Sequence, residues 1–446
     1  MPFPADFIWG VASAAYQIEG GAAEDGRGPS VWDVFSHTPG KTFDGHTGDI
    51  ACDSYHRFPS DLQALKELGV KNYRFGISWT RIFPDGRTLN EGGFAYYDMI
   101  VDSLLKNGIT PWITLFHWDT PQALEEEGGW QNRETAELLA RCAETVAMHF
   151  LGRVSHYFTI NEPQCFIGLG YETGWHAPGR SLSGKALFSC WHNAMLAHGL
   201  MVQAVHSADP SALIGVASTG LVCIPHTQEE RDLSAAREAM FSFSRFTDFS
   251  LFSHSAFLDP VLLGRYPEHA FFQDNAVPAA DLTTICQPID FIGLNFYSAI
   301  TISAGASGPQ VVPYCPGSPC TALRWPITPA MMRYGTQFLY ERYQKPIFIA
   351  ENGLSCNDKF YLDGKVHDPD RVDFLQRYLG ELKNACEAGV DVRGYFHWSL
   401  LDNFEWSDGY KERFGLYYVD YPTLQRYPKD SANWYRRVIA SNGEIL

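Results

Sequence analysis

Two glutamates far apart in the chain end short apolar runs of the same kind: Glu162 in "YFTINEP", from Tyr157, and Glu351 in "PIFIAENG", from Pro346. An ionised carboxylate at the end of a buried strand is costly unless something nearby uses or compensates it. A pair of such groups suits glycoside hydrolysis. One acid protonates the leaving oxygen while the other attacks the anomeric carbon, and retention of configuration needs the two carboxyl groups about 5 Å apart. The same reaction needs amides and imidazoles to hold sugar hydroxyls and an indole face for the apolar side of the ring. Side chains of these kinds cluster at or just after the ends of other apolar runs: Gln17, Arg74, His117, Trp118, Asn161, Asn295, Tyr297 and Trp398.

Something must bring these ends together. Eight apolar, β-rich runs follow one another: "FIWGVASA" from Phe7, "NYRFGIS" from Asn72, "TPWITLF" from Thr110, "YFTINEP", "LIGVAST" from Leu213, "DFIGLNFY" from Asp290, "PIFIAENG", and "GYFHWSL" from Gly394. Helix-length segments separate most of them. Residues 133–151, for example, repeat Leu138, Cys142, Val146 and Phe150 at helical spacing. Strands apolar on both faces, alternating with amphipathic helices, predict a parallel sheet covered by helices. Eight such units predict a closed (β/α)8 barrel, an α/β TIM barrel whose active site lies at the C-terminal rim of the strands. Residues 16–59, 163–183, 298–328 and 398–428 read as elaborated loops on that rim, and only the fifth strand brings no evident functional group. With no linker or repeat to divide it, residues 1–446 read as a single catalytic domain.

Composition narrows the function further. The net charge of −17 and the lack of a basic run argue against a nucleic-acid partner. No run approaches the roughly 20 apolar residues of a membrane span, and "MPFPADFIWG" lacks the pattern of a secretory leader, so a cytoplasmic protein is expected. The ten cysteines show no metal-site spacing, and no histidine pair supports a metal, so neither metal nor other cofactor is expected. Cys315 and Cys320, in a Pro/Gly-rich stretch, form the one place where a bridge is worth seeking. His56, His176, His192 and His198 read as structural.

The segments "ASAAYQIEG", "NYRFGISWTRIFPDG", "TLFHWDTPQAL", "TINEP", "GYETGWHAPG", "DFIGLNFYS", "IAENG", "HWSLLDNFEW" and "RFGLYYVDY" occur in this order. Along essentially its whole length the sequence resembles glycoside hydrolase family one, the retaining β-glucosidase family. The resemblance implies that Glu162 is the acid/base and Glu351 the nucleophile. It further implies that Gln17, His117, Asn161, Glu405 and Trp406 bind the hydroxyls of the glycone sugar, that Trp398 floors that subsite, that Trp325 meets the aglycone, and that Arg74 and Tyr297 hold the nucleophile. Trp118 and Asn295 join the substrate-binding set. The resemblance also implies cis peptides at Ala177–Pro178 and Trp398–Ser399. Gln164 stands where many relatives carry Trp, Gly76 where Ser is common, and Ala350 where Thr is common; Gln164 and Cys165 are expected to line the aglycone side.

The physical roles follow from these placements. Arg74 and the Tyr297 hydroxyl should favour ionised Glu351, while burial and that negative charge should keep Glu162 protonated. Pro163 disfavours α geometry in the residue before it, so Glu162 should be presented from an extended strand end. The expected activity is exo-hydrolysis of β-glucosides, either cellobiose-like disaccharides or aryl glucosides, with transglycosylation as a variant that differs only in the acceptor. Two alternatives stand beside it. A 6-phospho-β-glycosidase would need cations near the sugar's sixth position, where Glu405 would instead repel a phosphate. A catalytically silent sugar-binding protein would not require both carboxylates.

Overall fold

The computed structural model describes residues 2–247 and 249–446. Eight parallel strands close a barrel: β1 (Ile8–Ala12), β2 (Asn72–Gly76), β3 (Thr110–Phe116), β4 (His156–Asn161), β5 (Leu213–Ser218), β6 (Phe291–Asn295), β7 (Ile347–Asn352) and β8 (Val392–Trp398). Each strand pairs with its neighbours in chain order, and β1 pairs with β8 to close the ring. All eight strands fall on the expected runs, because β-branched and aromatic residues suit a pleated surface buried on both faces. The helix expected over 133–151 spans Glu134–His149, burying Cys142 and Val146, with Phe150 buried at its C-cap; it packs on a second helix, Gly184–Ala208.

The inside of the barrel is filled by rings. Trp112 on β3 lies 5.2–6.0 Å, centroid to centroid, from Phe158, Phe291, Phe348 and Phe396 on β4, β6, β7 and β8. Four glycines make room for these phenylalanines. A Cβ built on Gly10, Gly215, Gly293 or Gly394 would meet Phe396, Phe291, Phe158 or Phe348 at 2.5, 2.2, 2.6 and 2.8 Å. Gly215→Ala is therefore expected to destabilise the protein by about 1–3 kcal/mol through overpacking. Gly380 lies in the helix Pro369–Glu387 with nothing within 4 Å of its Cβ position, and Gly380→Ala should stabilise by about 0.5–1 kcal/mol. Urea unfolding of the two variants checks both signs.

The rim segments read as elaborated loops contain strands of their own. Residues 298–328 include the strands Ala299–Gly305 and Gly308–Val312, which form a small sheet with Val222–Pro225, and 398–428 ends in the hairpin Tyr417–Asp420 and Gln425–Pro428. Cys315 and Cys320 are exposed free thiols, not a bridge. Ala177–Pro178 and Trp398–Ser399 are both cis. No helix among the described residues is long and apolar enough to cross a membrane.

Candidate active site

At the C-terminal rim the strands surround a cavity of about 400 Å³. Strand register sets its polar end. Glu351 on β7 sits across from Asn295 on β6, and the peptide N–H of Glu162, just past β4, donates to the Ala217 carbonyl of β5 at 2.8 Å. Arg74, on β2 and fully buried, reaches across the barrel. Its Nη1 donates to Glu351 Oε1 at 2.6 Å and to the Ala350 carbonyl at 3.1 Å; its Nη2 donates to Asn161 Oδ1 at 2.7 Å and its Nε to Thr114 Oγ1 at 3.0 Å. The Tyr297 hydroxyl donates to Glu351 Oε2 at 2.8 Å. Both Glu351 oxygens are therefore held.

Glu162 is held differently. Asn295 Nδ2 donates to Glu162 Oε1 at 2.7 Å and to Asn161 Oδ1 at 3.1 Å. The Glu162 carbonyl accepts from the Cys165 N–H at 2.9 Å, and Cys165 lines the same cavity. The backbone departs from expectation here: Glu162 has φ 46° and ψ 65°, in the left-handed region, and caps the short helix Pro163–Ile167. The chain turns directly from strand to helix at this residue, and Pro163 at N1 has no N–H to leave unpaired.

Charge separates the two acids. Burial, and then the negative charge of Glu351, pushes the Glu162 carboxyl up from its ordinary 4.5 to about 8. Burial raises Glu351 as well, but the Arg74 charge and the hydrogen bonds from Arg74 and Tyr297 oppose it, so Glu351 is the first of the pair to ionise. His117, on the residue after β3, is held neutral by burial and the nearby Arg74 charge; its Nε2 faces the Asn161 amide at 3.1 Å.

Aromatic side chains line the closed end. Trp398 is 3% exposed and lies 6.1 Å from the His117 ring, stacked at 23°. Trp406 stacks on Trp118 at 4.5 Å, and Trp118 Nε1 donates to the Asn161 carbonyl at 2.8 Å. Gln17 lies on the short helix Ala15–Ile18 just after β1, where Nε2 donates to Asn403 Oδ1 at 3.0 Å and the Phe404 carbonyl at 2.9 Å, beside Glu405 Oε2 at 3.3 Å. Burial and the charges of Asp408, Glu351, Glu412 and Glu162 hold the Glu405 carboxyl well above its ordinary range. Trp325, 37% exposed, stands at the mouth, 5.5 Å from the Tyr297 ring.

The cavity thus brings together Gln17, His117, Trp118, Asn161, Glu162, Cys165, Asn295, Tyr297, Trp325, Glu351, Trp398, Glu405 and Trp406, with Arg74 immediately behind. Gln164 does not join them. It is fully buried and its Nε2 donates to Ser218 Oγ at 3.0 Å, because successive residues on a helix point about 100° apart and Cys165 takes the cavity face. His176, read as structural, lines the cavity between Trp32 and Trp118. The segment after β5, read as silent, contributes Thr219, Gly220 and Leu221, followed by Phe249 and Phe252.

Known proteins of similar sequence and shape point the same way. The family model described as glycosyl hydrolase family 1 matches residues 1–444. Beta-glucosidase A of Thermotoga maritima is 40% identical, covering 99% of this chain and 98% of its own length. Beta-glucosidase A of Acetivibrio thermocellus is 42% identical over 99% of each chain. The solved structure of the beta-glucosidase from Thermotoga maritima in complex with glucoimidazole superposes with a TM-score of 0.89 at 39% identity, covering 99% of both chains. With the model matched over nearly the whole length, the chain belongs to glycosyl hydrolase family 1.

Proposed function

We propose that this chain, as one catalytic domain over 1–446, is a retaining, exo-acting β-glucosidase that works by double displacement. Glu351 attacks the anomeric carbon while Glu162 donates its proton to the leaving oxygen. Once Glu351 is an ester its charge is gone, so Glu162 releases its proton more readily and activates water for the second step. The observation that carries this reading is that two buried carboxyls line one cavity, with Arg74 paired to Glu351 and only the Asn295 amide donating to Glu162. The retaining route requires these two carboxyls about 5–5.5 Å apart. Gln17, His117, Asn161, Glu405 and Trp406 hold the glycone hydroxyls over the Trp398 floor. That closed end admits a chain terminus, not a chain interior.

No lysine or arginine lines the cavity among the described residues, and Arg74 is committed to Glu351 and Asn161. Nothing is therefore positioned to neutralise a 6-phosphate. The test is to compare 4-nitrophenyl β-glucoside and its 6-phosphate across pH. The unphosphorylated glucoside should be favoured at least 100-fold. Its kcat/KM should fall as pH rises through about 8, since the acid must be protonated in the free enzyme. A preference for the phosphorylated sugar would refute the reading, and hydrolysis of neither would leave the silent binding protein in its place.

A further inference from the structure

The cavity has two ends of different chemistry, and the second specifies the substrate of the β-glucosidase proposed above, on which this inference rests. The acid must face the leaving oxygen, so whatever surrounds Glu162 on the mouth side meets the aglycone. The Cys165 N–H donates to the Glu162 carbonyl at 2.9 Å, and Cys165 and, one helical turn later, Leu169 both line the cavity. The Phe249 ring packs over Gly168, where a Cβ would lie 2.5 Å from it, and Phe252 stands 5.1 Å from Phe249. Leu221 joins this wall, its N–H donating to the Phe252 carbonyl at 3.3 Å. Leu323 and Trp325 also line the cavity.

A second sugar in this position would bring hydroxyls that need partners, and the wall offers few: the protons of the nearby side-chain hydroxyls are committed to backbone carbonyls. Thr219 Oγ1 donates to the Asn295 carbonyl at 3.2 Å and Ser298 Oγ to the Pro326 carbonyl at 2.9 Å. Asp408 is paired with Lys411 at 2.6 Å. Buried hydroxyls left without partners cost binding, whereas each methylene laid against this wall gains. We propose that the wall built from Leu169, Leu221, Phe249 and Phe252 makes alkyl and aryl glucosides, not cellobiose, the preferred substrates.

The n-alkyl β-glucosides from ethyl to hexyl test this, because their leaving groups differ in length but hardly in acidity. With the intact protein, kcat/KM should rise about threefold to fourfold per methylene, giving roughly a 100-fold span from ethyl to hexyl, and hexyl should exceed cellobiose at least tenfold. Leu221→Asn should reduce the hexyl-to-ethyl ratio about tenfold. A flat series, or cellobiose outperforming hexyl glucoside, would overturn the inference while leaving the β-glucosidase reading intact. Failure to hydrolyse any of them, 4-nitrophenyl β-glucoside included, would overturn both.

Discussion

Glu351→Gly should lower kcat on 4-nitrophenyl β-glucoside by a factor on the order of 10⁵, the largest effect of any single substitution in this protein. The residue is the proposed site of covalent attack, and removing a nucleophile removes the reaction path, not one contribution to it. The lost carboxylate also leaves a small space bounded by Arg74 and Tyr297, whose donors still point into it. A small anion can occupy that space. Azide should restore turnover of an activated aryl β-glucoside and leave an α-glucosyl azide, because attack comes from the face Glu351 used. Restored release of the aryl group with a β-glucosyl product would place the nucleophile elsewhere.

Glu162→Gly should act in a contrasting way. Substrates with a poor leaving group, such as alkyl glucosides, need its proton and should lose about 10³- to 10⁴-fold. A dinitrophenyl glucoside departs without help, so its first step should survive while the second, which needs Glu162 as base, slows and lets the intermediate accumulate. A burst of dinitrophenol equal to the enzyme concentration is the expected signal. The fall of kcat/KM above pH 8 should vanish with the residue, since burial and the Glu351 charge are what lift this carboxyl to about 8. In this variant azide should give a β-glucosyl azide, attacking from the side where Glu162 stood. Equal losses on both substrates would assign Glu162 a merely structural place.

The two predictions differ because near-identical side chains have been given unlike surroundings. Glu351 has Arg74 and the Tyr297 hydroxyl on its two oxygens; Glu162 has one amide and a like charge. This asymmetry was legible in the sequence only in part. Barrel strands announce themselves by composition, and a residue at a strand end has a nearly fixed place on the rim, so Arg74, His117, Asn161, Glu162, Asn295 and Glu351 could be placed before any coordinates. Residues carried in by long segments had no such anchor. Phe249 and Phe252 belong to no barrel strand and carry no reactive group, yet they wall the cavity. Gln164 shows the opposite failure: beside Cys165 in sequence, it points at Ser218 because a helix starts at Pro163. The left-handed turn at Glu162 was hidden for a related reason. The rule for residues before proline excludes right-handed helix, but the chain met that restriction by crossing to positive φ instead of staying extended.

The central claim is that two carboxylates in one cavity carry out successive displacements, and the anomer released first tests it most directly. Proton NMR of a concentrated enzyme acting on 4-nitrophenyl β-glucoside, read within the first minutes, should show β-glucose forming ahead of the α-anomer, which then grows in by mutarotation. Appearance of α-glucose first would mean a single displacement by water and would contradict the account.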